Sequence, residues 1–269
     1  MNTAINQKFI EQKVSELEEK IDSFRSSNEF LRFALAMSMF HKYSYHNQII
    51  ILSQKPDATM VAGFHTWKKL GRFVKRGEKG IIIYVPVTAI NENEDGEKIE
   101  ELLSFKFGRV FDVSQTYGKP LPEISRSMAD DHASFYYYCL RLAEKFSIRV
   151  EVRDNPSCDG ESLAGTVLLK NNSNITMMGA VLLHELAHEY LHKPEDRKTL
   201  DREVIEIEAE TVAYIVCSHF GIQTPSDKYL ATWQSNHQIV ESLKRISQCC
   251  HKFIGELEAI VQKQSLSTR

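Results

Sequence analysis

A chain of 269 residues, 42% apolar and 10% aromatic, holds material for one large or two modest cores. No apolar run reaches the ~18–20 residues that span a bilayer, and the charged first thirty residues lack the apolar core of a signal peptide, so the reading is a cytoplasmic protein with no membrane segment. The net charge of −3 conceals an asymmetry: nine Lys/Arg stand against three Asp/Glu between 28 and 90, which leaves −9 elsewhere and points to an anionic partner for that region alone.

In chain order, Phe9, Ile10, Val14, Leu17, Ile21 and Phe24 recur at three- and four-residue steps and predict an amphipathic helix over 7–24, with a second over about 28–40. After the loop "HKYSYHN" comes "QIIILSQ", an apolar run whose periodicity fits helix or strand. "IIIYVPV" reads as a buried strand, "NENEDGEK" as a hairpin turn around Asp95-Gly96, and "LLSFKFGRVFDV" as the returning strand. Glycine and prolines in "YGKPLPEISRS" mark a boundary, dividing the chain into 1–122 and 123–269. Beyond it lie a helix near 129–146, strands at "IRVEVRD" and "SLAGTVLLK", a helix capped by Ser173 or Asn174, a long helix over 201–219, and further helices to about 262. The fold class is α+β in two domains. The five cysteines, an odd number without a CxxC pair, are read as structural thiols of a reducing compartment.

Within "FHTWKKLGRFVKRGEKG", Lys68, Lys69, Arg72, Lys75, Arg76 and Lys79 oppose a single acid, Glu78, with Phe64, His65, Trp67 and Phe73 interleaved. Cations that track phosphates and rings on which bases stack are the ingredients of single-strand nucleic-acid binding. The same composition also describes a solvated basic surface with Trp67 and Phe73 in a core.

"AVLLHELAHEYLH" places His184 and His188 on one helical face, where two imidazoles reach one tetrahedral zinc ion while Glu185 stands one step round. Hydrolysis requires a third ligand and an open position. The HExxHxxGxxH pattern would put that ligand at Pro194 and is excluded, and His192, a further turn along, is read as a solvated histidine. "DREVIEIEAETVAYIVCSHF" offers Glu206 as ligand and Glu210 to orient a ligating histidine, with Glu208 or Glu210 as alternative ligands, and Ala209 and Ala213 to allow close helix approach. In this reading zinc acidifies water, Glu185 is the base, "AGTVLLK" is an edge strand that binds extended peptide, and Tyr214 or His219 steadies the oxyanion.

Together, "NQIIILSQKPDATMVAGFHTWKKLGRFVKRGEKGIIIYVPV" with "FGRVFDVSQTYGKPLP", and "HELAHEYLH" with "EIEAETVAYIVCSHFGI", resemble the ArdC-type antirestriction proteins of mobile elements, over roughly residues 40–235. The resemblance implies an N-terminal mixed α/β domain that binds single-stranded DNA, for which the basic segment read above offers Trp67, Lys68, Lys69, Arg72, Lys75, Arg76 and Lys79. It further implies a C-terminal zincin-like metallopeptidase domain, related to IrrE/ImmA, with zinc on His184, His188 and Glu206 and with Glu185 as base. The expected function is a zinc metallopeptidase, acting on a protein substrate, fused to a DNA-binding domain. The alternative is a stoichiometric antirestriction protein whose metal site is structural or vestigial. The Pro/Gly/Asn-rich segment that opens the DNA domain in longer members shrinks here to "YSYHN".

Overall fold

The structure, a computed structural model, describes residues 39–92, 98–121, 132–154, 157–172, 174–224 and 239–267, with isolated positions between 12 and 36. The helices read at 7–24 and 28–40 and the Asp95-Gly96 turn lie largely or wholly outside the described residues. Two compact units form, one comprising residues 1–19 and 46–121 and the other 20–45 and 122–269. The division between residues 121 and 122 lies within the stretch 117–127. No described helix is long and apolar enough to cross a membrane.

In the first unit, "QIIILSQ" belongs to helix α1 (Tyr45–Gln54), whose Ile49–Leu52 are all buried. Strand β1 (Val61–Gly63) leads into the short helix α2 (Phe64–Lys69) and strand β2 (Arg72–Val74). Strands β3 (Ile81–Glu92) and β4 (Lys98–Asp112) pair antiparallel, as read, and β1 completes a sheet of order β1-β4-β3. An outer strand exposes unpaired backbone groups unless something covers them. Here α1 does so with two side-chain amides. Asn47 donates to the Tyr84 carbonyl at 2.8 Å and accepts from its N–H at 2.9 Å, and Gln54 treats Ile82 in the same way at 2.8 and 3.0 Å. Each amide acts as a peptide group of a missing neighbour strand, which explains why an apolar run containing two amides folds as a helix against β3. Strand β5 (Thr116–Gly118) pairs antiparallel with β2, so Tyr117 and Gly118 belong to a sheet and not to the linker.

The second unit opens with helix α3 (His132–Lys145), followed by strands β6 (Arg149–Arg153), β7 (Gly160–Ser162) and β8 (Thr166–Lys170) in the order β6-β8-β7. Strand β8, read as an edge, is therefore central: β6 runs parallel on one side and β7 antiparallel on the other. Its alternate residues Val167 and Leu169 are buried, which marks one covered face of the sheet. Helix α4 (Ile175–Leu191) starts at Asn174, whose side chain accepts from the Met177 N–H. A Cβ at Gly179 would meet Phe135 Cδ1 at 3.0 Å and Tyr136 Cα at 3.3 Å, so its absence lets α4 cross α3 closely. A short turn, α5 (Asp196–Thr199), precedes helix α6 (Arg202–His219), capped by Asp201, and helix α7 (Ile239–Ser267) closes the unit. Helix α6 packs on α4, and both helices bury small or apolar residues, Ala209 and Ala213 on α6 and Leu182, Leu183 and Leu186 on α4. All five cysteines are free thiols.

Candidate metal centre and basic aromatic face

The packing of α4 on α6 brings His184, His188 and Glu206 together, their ligand atoms all within 4.8 Å of one another. His184 Nε2 and His188 Nε2 are 3.0 Å apart, and each lies 3.6 Å from Glu206 Oε2. Ligands about 2.0–2.1 Å from a tetrahedral ion stand roughly 3.3 Å from one another, so this triangle brackets the spacing that a zinc-sized cation demands. Two imidazole nitrogens and one carboxylate are also the donor set that such an ion prefers.

The surrounding charges favour a cation at this point. Burial works against a charged His184, but hydrogen bonds with Glu206 and Glu210 outweigh it and raise its pKa to about 9. His184 and His188 in turn hold the Glu206 carboxyl well below the usual carboxylate range. Glu210 Oε2 lies 2.8 Å from His184 Nδ1, the ring nitrogen turned away from the triangle. Glu208 points elsewhere: fully buried, it meets His192 Nε2 at 3.1 Å and accepts from Arg245. His192 is only 1% exposed and its Nδ1 lies 3.3 Å from His188 Nδ1, so the reading of a solvated histidine is corrected. The sequence marks neither partner, because Arg245 arrives from a helix 37 residues further on.

Glu185 lies on the wall of a cleft of about 600 Å³ lined also by His184, His188, Glu206, Gly160, Ser162 and Arg197. Burial raises its pKa to about 7, with His184 pulling the other way. Gly160 was absent from the sequence reading, although it shapes this place. A Cβ there would stand 2.7 Å from Glu185 Oε1 and 2.7 Å from Val181 Cγ1, so only glycine lets β7 pass over the carboxylate. Arg197 donates to the carbonyl of Ser162 on β7 (3.2 Å) and to the carbonyl of His192 (2.9 Å), tying the strand to the end of α4. β7, and not β8, is the outer strand beside the cleft. Tyr214 and His219 do not reach this site. At 1.5 Å per residue they lie roughly 12 and 20 Å along α6 from Glu206, and His219 instead meets Glu258 at 3.3 Å.

In the first unit the basic residues divide by what they touch. Lys68, Lys69, Lys75, Arg76 and Lys79 are exposed. Arg72 is half-buried and spends its guanidinium on the Thr116 hydroxyl (2.9 Å) and the Lys119 carbonyl (2.6 Å), holding β2 to β5. Trp67 is 0% exposed and its indole N–H donates to the Phe111 carbonyl at 2.8 Å, so the expectation that it contacts a ligand is corrected: it is core. Phe64 (51% exposed), Phe73 (45%) and Tyr117 (58%) are accessible rings, and of these Phe73 and Tyr117 sit directly opposite each other across β2 and β5 with centroids 5.9 Å apart. Tyr117 carried no signal in sequence, because its partner is 44 positions away in an unread strand.

Residues 3–113 match the family described as the N-terminal domain of anti-restriction factor ArdC. The chain is 26% identical over 286 residues to an uncharacterized Bacillus anthracis protein, pXO2-81, the match covering 87% of this chain and 49% of that protein. It thus spans about half the length of this curated relative. Among solved structures, it is similar to the metal-free antirestriction ArdC protein from the R388 plasmid (19% identity, TM-score 0.43, 81% of this chain and 85% of that one). It is similar also to the Mn(II)-bound structure of that protein (17%, 0.37, 80% and 88%).

Proposed function

Taking the chain as an ArdC-type protein through its N-terminal domain, we propose that it is a zinc-dependent metallopeptidase whose first unit binds single-stranded DNA, and that it serves a mobile element as an antirestriction or regulatory protein. The observation that carries the enzymatic half is the convergence of His184, His188 and Glu206 on one point beside Glu185, in an open cleft. A structural metal would have no use for a carboxylate poised at its side.

His184, His188 and Glu206 would hold the ion. When bound, it polarises the scissile carbonyl and acidifies water. Glu185, with its pKa near neutrality, takes the proton of the attacking water and returns it to the leaving amine. An extended peptide lies along the outer edge of β7 at Gly160 and Glu161, adding a strand antiparallel or parallel to it. Gly160 keeps the floor low enough for substrate to reach Glu185.

On the first unit, Phe73 and Tyr117 form the platform on which bases stack, and Lys68, Lys69, Lys75, Arg76 and Lys79 neutralise phosphates. Trp67 and Arg72 build that surface from beneath.

The test compares Glu185→Gln with the unaltered protein for zinc content, DNA retention, cleavage of an unstructured protein and protection of DNA from restriction. The expected variant keeps zinc and DNA and loses cleavage and protection. A variant that keeps full protection assigns the biological role to stoichiometric DNA binding.

A further inference from the structure

We propose that His192 is a positioning residue, relaying the buried carboxylate of Glu208 to His188 so that His188 presents a bare Nε2 to the metal. The inference rests on the metal-site reading above.

Arg245, Glu208, His192 and His188 form one hydrogen-bonded chain of four side chains, whose protons can be counted. Arg245 Nε donates to both oxygens of Glu208, at 3.0 and 2.9 Å, and its Nη2 donates to Oε1. Such a fork grips an ionised carboxylate, which only accepts hydrogen bonds. The contact of 3.1 Å from His192 Nε2 to Glu208 Oε2 therefore carries its proton on the imidazole. A neutral imidazole protonated at Nε2 has a lone pair at Nδ1. That lone pair faces His188 Nδ1 at 3.3 Å, so His188 must supply the proton there. His188 Nε2 is then left as a lone pair, aimed at the point it shares with His184 and Glu206. The opposite order would place a proton on His188 Nε2, where an ion has to sit.

The two ligating histidines thus receive the same instruction by different routes. Glu210 contacts His184 Nδ1 directly, whereas Glu208 is one imidazole removed from His188. His192 cannot itself bind the ion, because it stands about 6 Å further along the axis, with both ring nitrogens engaged. The 1% exposure of His192 is tolerable because Glu208 and His188 satisfy its two ring nitrogens, since a lone polar group there is costly. Groups in this outer position commonly set metal affinity by about 10- to 100-fold.

The experiment uses the full chain and competition with a chromogenic chelator for zinc. His192→Phe fills the space without an acceptor and is expected to weaken zinc binding by about 10- to 100-fold. His192→Asn, whose Oδ1 takes the place of Nδ1, is expected to recover most of that loss. Equal affinity in His192→Phe and the unaltered protein overturns the relay while leaving the metal site standing, as does an Asn variant no better than Phe. An unaltered protein that fails to bind zinc overturns both. Should the Phe variant not fold, nitrogen-15 NMR of the zinc-loaded unaltered protein decides: the proton is expected on Nε2 of His192 and Nδ1 of His188, and a His192 protonated at Nδ1 overturns the proposal.

Discussion

Glu206 and Glu210 stand one helical turn apart on α6 and address opposite nitrogens of the same ring: Glu206 Oε2 is 3.6 Å from His184 Nε2, and Glu210 Oε2 is 2.8 Å from its Nδ1. In the proposed centre the first binds the metal and the second aims the histidine. Glu206→Ala is therefore expected to abolish stoichiometric zinc, whereas Glu210→Ala retains it with affinity about 10- to 100-fold weaker. Equilibrium dialysis with metal analysis separates the two, and equal losses would contradict the division of labour.

Gly160 is predicted to be as necessary to cleavage as a residue with chemistry of its own. In Gly160→Ala the added methyl falls 2.7 Å from Glu185 Oε1, so either the carboxylate or β7 must move. A misplacement of this order costs about 100-fold in turnover. Zinc content should stay at the unaltered level, because none of the three ligands is touched. Peptide hydrolysis within a few-fold of the unaltered protein would show that β7 gives way freely.

For the DNA surface proposed on the first unit, Phe73→Ala and Tyr117→Ala are each expected to weaken oligonucleotide binding by about 1–3 kcal/mol with the salt slope unchanged. Joint replacement of Lys68, Lys69 and Lys75 by Ala should lower that slope. Trp67→Ala behaves differently, costing about 3–5 kcal/mol of stability as a core deletion. Fluorescence titrations at several salt concentrations, beside thermal melts, check all three. A stable Trp67→Ala protein with weakened binding would put that ring back at the ligand.

Much of this site was legible before any coordinates, and the omissions have physical causes. Helix α4 declares itself through the Asn174 cap and its apolar faces, and the i, i+4 spacing alone puts His184 and His188 on one side. The run "QIIILSQ" could not be assigned, since a segment buried on every side loses its period, and the two amides that settle it bond to a strand some thirty residues later. Likewise β8 carries the buried alternation of any sheet strand, and only the pairing with β6 and β7 on both sides makes it central. His192 was misread because i+4 spacing reports the face of a helix but not whether a distant Arg245 and a neighbouring Glu208 will seal it. Exposure of a tryptophan in a basic stretch is undecided for the same reason: the acceptor for Trp67, the Phe111 carbonyl, is 44 residues away.

Acid stability should carry the mark of Glu258. The hydrogen bond with His219, helped by Lys42 at 3.4 Å and His41 at 3.8 Å, holds its carboxyl at about 2 against an ordinary 4.5. A carboxyl with a depressed folded value stabilises the fold fully above 4.5 and loses that contribution as pH falls from there through about 2. Glu258→Gln is expected to be less stable by about 1–2 kcal/mol near neutrality, with solvent screening taken into account. The gap should close in acid. Denaturant unfolding at the two extremes measures it, and a difference independent of pH would contradict the assignment.

The most direct measurement is anomalous diffraction at the zinc edge from crystals of the full chain grown with zinc. One peak is predicted within bonding distance of His184 Nε2, His188 Nε2 and a Glu206 oxygen, with Glu210 and Glu208 outside the coordination shell. A peak elsewhere, or one that engages the histidines while Glu206 turns away, would contradict the account.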